Sequence, residues 1–194
     1  MDWLSENKIP VGDWAENFFL WLQDNAAGFF DALSLLMEWL IETFLRVLQT
    51  PHPLVIVAVF VALTWVLQRN WKTCLFVALG FLFILNQDYW EETTESLTLV
   101  LSSCIFCMAM GVPLGIAAAH RPRLYESMRP VLDLMQTLPP FVYLIPAIVF
   151  FGIGMVPGLI ATVIFVVPAP IRLTHLGVSS TPQPLLEAAR AFGS

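Results

Sequence analysis

Charge is what this sequence has least of: 12% of its 194 residues are Asp, Glu, Lys or Arg, against 58% hydrophobic. A chain that apolar, with a mean hydropathy of +0.75, cannot keep its surface away from water as a soluble globule, and a lipid bilayer is its natural solvent. Lysine is rarer still. Lys8 and Lys72 are the only two, and neither follows a glycine, so no phosphate-binding loop of the G-x-x-x-x-G-K type exists and the chain is not expected to hydrolyse ATP itself.

Cysteine is confined to Cys74, Cys104 and Cys107, all inside apolar runs, which argues against a disulfide framework. The pair in "CIFC" has redox or metal spacing, but with no second pair and no nearby His it reads as two small apolar residues on a helix face. No metal and no resident cofactor are expected. His52, His120 and His175 lack the Ser, Cys or carboxylate neighbours that would make a catalytic group, so the chain is not expected to be an enzyme. The start "MDWLSENKIP" has neither the basic stretch nor the apolar core of a cleavable signal peptide, so insertion is expected to use internal spans. Carboxylates deep within the apolar runs are also missing. Near membrane depth only Asp133 and Arg172 stand out, each a few residues from a boundary, which counts against an ion-coupled secondary transporter or channel, the rival reading.

Long apolar runs are abundant instead. Against the roughly 20 residues that cross ~30 Å of hydrocarbon, five candidate spans appear, approximately Leu54–Leu67, Thr73–Leu85, Leu97–Ala119, Val131–Ile153 and Leu159–Leu176, the first two short. The connecting loops alternate in charge. Arg69 with Lys72, then Arg121, Arg123 and Arg129, then Arg172 mark one side, whereas "NQDYWEETTE" carries Asp88, Glu91, Glu92 and Glu95 with no base. The positive-inside rule puts the basic loops in the cytoplasm and the acidic N-terminal region outside. Within that region "WAENFFLWLQD" has helical spacing, and Asp31, Ser34, Glu38, Glu42, Arg46 and Gln49 form a polar stripe on a second helix, with Glu42 and Arg46 at pairing distance. Both are expected to lie in the outer interface, although the second is long enough to be a sixth span.

The fourth span breaks its own pattern with "MQTLPPFVYLIP". An unmatched backbone carbonyl is costly in hydrocarbon, so Pro139, Pro140 and Pro146 imply that this segment faces protein or a water-lined path. Gln136, Thr137 and Tyr143 could satisfy the freed carbonyls or line that path; a packing kink fits the same residues. Gly111 and Gly115 in "GVPLG" have the small-xxx-small spacing that admits a neighbouring helix. Gly152, Gly154, Pro157 and Gly158 predict a tight outer turn between the fourth and fifth spans.

The last residues, "STPQPLLEAARAFGS", read as a short cytoplasmic helix, with Thr181 as N-cap, Pro182 and Pro184 in the first turn and Gly193 as C-terminal cap. Leu185, Leu186, Ala189 and Phe192 fall near one face, a shape suited to a groove on another protein or to covering the chain's own core. "EAARAFG" resembles the first half of the E-A-A-x-x-x-G motif of permease subunits of bacterial ATP-binding-cassette importers, with Glu187, Ala188, Ala189 and Gly193 in the matching positions. "RPVLDLMQTLPPFVYLIPAIVFFGIGMVPG" and "PAPIRLTHLGV" resemble permeases for glycine betaine, proline betaine and choline, and "MDWLSENKIPVGDW" is most similar to the choline-type members.

The resemblance implies an all-α, multi-pass permease core of the type I importer class, truncated after the coupling helix. It also implies that Glu187, Ala188, Ala189, Phe192 and Gly193 dock on a separate ATPase subunit that binds the ATP. An extracytoplasmic binding protein, a permease homodimer and the bacterial inner membrane complete the expected assembly; no nucleic-acid partner is expected. The domain reading is 1–52 as an outer region of interfacial helices, 53–96 as two scaffold spans with the acidic loop, and 97–194 as the start of the permease domain.

Overall fold

In the computed structural model, residues 11–182 are described, together with Pro184, Glu187, Ala191 and Phe192 beyond them. Every regular element among the described residues is helical. They are α1 (Val11–Gln49), α2 (Pro53–Gln68), α3 (Trp71–Asn86), α4 (Trp90–His120), α5 (Pro122–Thr137), α6 (Pro140–Phe151), α7 (Met155–Val166) and α8 (Pro168–Ser179).

The two helices expected in the N-terminal region are one. α1 runs unbroken for 39 residues, about 58 Å at 1.5 Å per residue. Gly28 does not end it, since an interior glycine costs only about 1 kcal/mol relative to alanine, and the C-terminal half is anchored by burying Met37, Ile41 and Leu48. The expected Glu42–Arg46 pair is not formed: among the described residues the one ion pair joins Arg172 to Asp133. In the polar stripe, the Ser34 hydroxyl instead donates to Glu38 at 3.0 Å.

Prolines and caps punctuate the chain beyond α1. Pro53 opens α2, and His52 Nδ1 accepts from the Leu54 N–H at 3.3 Å. The chain turns 96° between α1 and α2. Arg69 then adopts a left-handed conformation, φ 48°, to close α2, and Asn70 Oδ1 caps α3 through the Lys72 N–H at 3.0 Å. The α2–α3 hairpin is zipped by Phe60 stacked on Phe81, centroids 5.1 Å apart.

α4 is the spine. Glu91 and Glu92 occupy its first turn, where carboxylates complement the helix dipole. Its buried face is made of small side chains: Thr94, Thr98, Ser102, Ser103, Cys107, Gly111, Gly115 and Ala118. Small residues let neighbouring helices come close, and the most extensive helix contact in the chain is that of α8 on this face, with α1 and α7 also resting on α4. The core forms where they converge, around Cys107, Leu159, Val163, Val167, Ile171, Met37 and Ile41.

Among the described residues two helices, Trp90–His120 and the continuous Met155–Ser179 formed by α7 and α8, are long and apolar enough to cross a membrane, or up to four if each bent pair counts as one span. The third and fifth expected spans correspond to these two. The fourth does not survive as one straight helix. It is split into α5 and α6, bent by 94° at Leu138–Pro139, because the successive imides at 139 and 140 remove two backbone donors and Pro139 also keeps Leu138 out of the helical region. Leu138 is accordingly extended, with φ −79° and ψ 138°.

Candidate translocation segment and coupling element

The bend is built around one carbonyl. Leu134 O accepts from the Leu138 N–H at 3.2 Å, from Thr137 Oγ1 at 3.1 Å and from the Tyr143 hydroxyl at 3.2 Å. Tyr143 thus reaches back across both prolines and ties α6 to the last turn of α5. Gln136, Thr137, Pro139 and Pro140 are exposed at the elbow, while Tyr143 and Pro146 are half-buried further along α6. At the far end Gly152, with φ +77°, is in the left-handed region that glycine adopts most readily, and it turns the chain into α7.

Gly111 and Gly115 lie where α8 presses on α4. A Cβ on Gly111 would stand 2.7 Å from Pro170 Cγ, and one on Gly115 would stand 2.6 Å from Thr174 Cβ and 2.7 Å from the Ile171 carbonyl oxygen. The contact is tight enough to exclude any side chain at Gly115 without moving backbone.

Asp133 and Arg172 are brought together. Arg172 Nη2 on α8 donates to Asp133 Oδ1 on α5 at 2.6 Å. Eight residues earlier on α5 the Tyr125 ring stacks on His175, centroids 3.7 Å apart and planes 5° apart. Neither pairing was readable beforehand, because the partners are 39 and 50 positions apart and the sequence carried only the polar residues themselves. The same holds for Gln49 Nε2, which donates to Thr94 Oγ1 at 2.9 Å and fixes the end of α1 on the start of α4.

Of the terminal element, Glu187 is exposed and helical, and Phe192 is 90% exposed; Ala188, Ala189 and Gly193 lie outside the described residues. Thr181, expected as the N-cap of that element, has Oγ1 donating to the Val178 carbonyl at 3.0 Å, so its hydroxyl closes α8. The two cysteines of "CIFC" are free thiols, with Cys107 Sγ 3.8 Å from the Val163 carbonyl oxygen and Cys104 exposed. Among the described residues no group of three or more His, Cys, Asp or Glu could hold a metal ion.

Among the described residues, membrane-length apolar helices and a helix broken by tandem prolines define a multi-pass helical membrane protein. The family model for binding-protein-dependent transport system inner membrane components matches residues 111–194. The glycine betaine transport system permease protein OpuAB of Bacillus subtilis strain 168 is 40% identical over 187 residues, covering 96% of this chain and 66% of that protein. The glycine betaine/carnitine transport permease protein GbuB of Listeria monocytogenes is 40% identical over 189 residues, covering 96% and 67%. The glycine betaine/proline betaine transport system permease protein ProW of Escherichia coli K12 is 35% identical, covering 100% and 54%. The chain belongs to this family of binding-protein-dependent transport permeases, and it spans between about half and two thirds of the length of these relatives.

Proposed function

We propose that this chain is part of the translocation subunit of an ATP-driven importer for quaternary ammonium solutes, glycine betaine or proline betaine with choline as a further candidate. The observation that carries the reading is the 40% identity to a glycine betaine permease across 96% of the chain. In this reading an extracytoplasmic binding protein delivers the solute, two permease copies form the path across the inner membrane, and separate ATPase subunits bind and hydrolyse the ATP.

The chain's own residues have distinct parts to play. The elbow from Gln136 to Pro146 lies along the path, where irregular backbone is tolerated because Thr137 and Tyr143 satisfy the Leu134 carbonyl. Glu187 and Phe192, exposed beyond α8, belong with Ala188, Ala189 and Gly193 to the helix that docks on the ATPase. The acidic end, where α1, the start of α4 and the Gly152–Gly154 turn lie, is outside, and the basic loops are cytoplasmic. Residues 53–96 form the scaffold and 97–194 the start of the permease domain, with α1 packed against the latter.

The test is uptake by the full-length permease reconstituted with its ATPase and binding protein, using labelled choline with unlabelled glycine betaine as competitor. ATP-dependent uptake that betaine suppresses supports a betaine importer, and uptake that resists betaine supports a choline importer. ATP-independent flux would replace the reading with a channel or secondary transporter. In the same vesicles, unchanged uptake for both Gln136→Leu and Tyr143→Leu at wild-type assembly would reduce the elbow to a packing kink.

A further inference from the structure

Two cavities meet at Phe151, between α1, α6 and α7. The aromatic one, about 220 Å³, is walled by Phe30, Tyr143, Pro146, Phe150 and Phe151, with Ile160 and Ile164. The rings are organised: Phe30 stacks on Phe150 with centroids 4.7 Å apart and meets Phe151 edge-on at 5.5 Å and 87°. The other cavity, about 160 Å³, shares Phe151 and is bordered by Glu38 and Glu42 with the Gly154–Pro157 turn.

The chemistry of this pair of cavities is selective. No Lys, Arg or His lines either one, and among the described residues neither glutamate is in an ion pair, Arg46 one turn along α1 included. Two carboxylates therefore attract a cation to one cavity, and the aromatic faces of its neighbour attract it through their quadrupoles. The one side-chain polar group of the aromatic cavity, the Tyr143 hydroxyl, donates to Leu134 O and offers a ligand only its oxygen as an acceptor, so a primary ammonium or guanidinium would leave most of its N–H donors unmatched there. A methylated ammonium carries positive charge with few or no N–H donors, so it suits the aromatic wall better.

We propose that this aromatic pocket, which shares Phe151 with a cavity bordered by Glu38 and Glu42, binds methylated ammonium groups on the permease itself, independently of any binding protein. The proposal rests on the function inferred above for the class of solute, and the pocket supplies the means of telling a methylated from an unmethylated amine. A free solute and a trimethylammonium lipid headgroup present the same chemistry, and the test separates them.

The experiment is equilibrium binding of radiolabelled choline to the full-length permease–ATPase complex, without binding protein, in nanodiscs of phosphatidylglycerol. Saturable binding is expected, displaced by tetramethylammonium but not by ethanolamine. Phe30→Leu and Phe151→Leu should each raise Kd about tenfold, whereas Phe151→Trp, which keeps an aromatic face, should retain binding. Glu38→Gln with Glu42→Gln, both on an exposed face, should weaken binding at low salt and approach wild type at high salt. If nanodiscs containing phosphatidylcholine occlude the site in the wild type, the headgroup is its occupant. Absence of saturable binding, or equal affinity in Phe151→Leu, overturns the proposal if the same complex given its binding protein still imports glycine betaine. Loss of import alongside intact binding would count against the importer reading and leave the pocket standing.

Discussion

Arg172 on α8 and Asp133 on α5 are joined by a 2.6 Å hydrogen-bonded ion pair, and His175 and Tyr125, stacked at 3.7 Å, join the same two helices again. α8 also packs along α4 and is followed by the segment that carries Glu187. α5 leads directly into the elbow at Leu138–Pro139. The two contacts thus join α8 to the helix that leads into the proline bend.

The energy in the ion pair is modest. Arg172 and Asp133 side chains are 33% and 55% exposed, so solvent screening limits their coupling to about 0.2–1 kcal/mol. A double-mutant cycle of Asp133→Ala and Arg172→Ala, read by thermal unfolding in detergent, is expected to return a coupling in that range that shrinks as salt is added. A coupling near zero at low salt would mean that the pair contributes nothing to holding α5 on α8.

Gly115 is the more demanding position. Its missing Cβ would fall 2.7 Å from the Ile171 carbonyl oxygen, an atom of the backbone that cannot rotate away. Gly115→Ala is expected to destabilise the chain by about 1–3 kcal/mol as α8 is forced off α4. Gly80→Ala is the control, since nothing lies within 4 Å of the Cβ it would add and the helix-propensity gain of alanine should leave stability unchanged or raised by up to about 1 kcal/mol. Unfolding midpoints of the two variants measured side by side distinguish a close helix contact from a general intolerance of substitution.

How much could be read beforehand varied with the kind of signal. Tandem prolines have a local effect, so the interruption of the apolar run near Pro139 was legible, but its 94° angle was not, because the direction of a bend is set by what each half packs against. Small-residue spacing identified Gly111 and Gly115, yet nothing in it named Pro170, Ile171 and Thr174 as the surface they meet. The spacing in the N-terminal region suggested two interfacial helices, the second with a polar stripe, whereas Met37 and Ile41 beside that stripe are buried in the shared core. Amphipathicity reports that a helix has two environments and does not say whether the apolar one is lipid or protein. Phe30 and Phe151, 121 positions apart, were indistinguishable in sequence from the many aromatic side chains that face outward.

Two threonines on one face of α4 should respond in opposite ways to loss of the hydroxyl. Thr94 Oγ1 accepts from Gln49 at 2.9 Å and lies 2.8 Å from the Glu91 carbonyl oxygen, while the fully buried Thr98 Oγ1 has no hydrogen-bond partner among the described residues. Thr94→Val strands the Gln49 amide and is expected to cost about 1–2 kcal/mol. Thr98→Val keeps the shape and removes an unmatched polar group, so it should be neutral or stabilise by up to about 1 kcal/mol. Chemical denaturation of both variants in the same detergent checks the sign of each; destabilisation by Thr98→Val comparable to that of Thr94→Val would show that its hydroxyl has a partner after all.

The terminal element gives the sharpest functional expectation. Phe192 is 90% exposed and Glu187, five residues earlier, is exposed too; a large exposed aromatic is the kind of side chain that anchors an interface, and an acidic group in the same segment favours a basic rim on the partner. If this segment docks on an ATPase subunit, Phe192→Ala should weaken that subunit's affinity by about tenfold or more, and Glu187→Lys should slow the association and lower ATP-driven uptake by a similar factor. Both residues are exposed and neither belongs to the buried core around Leu159 and Ile171, so unfolding midpoints should stay at the wild-type value. The measurement is ATPase binding to the permease in nanodiscs alongside uptake in vesicles. A fall in both at constant stability assigns Glu187 and Phe192 to coupling, while unchanged affinity and unchanged uptake in the two variants would leave the segment as a surface helix of the chain's own.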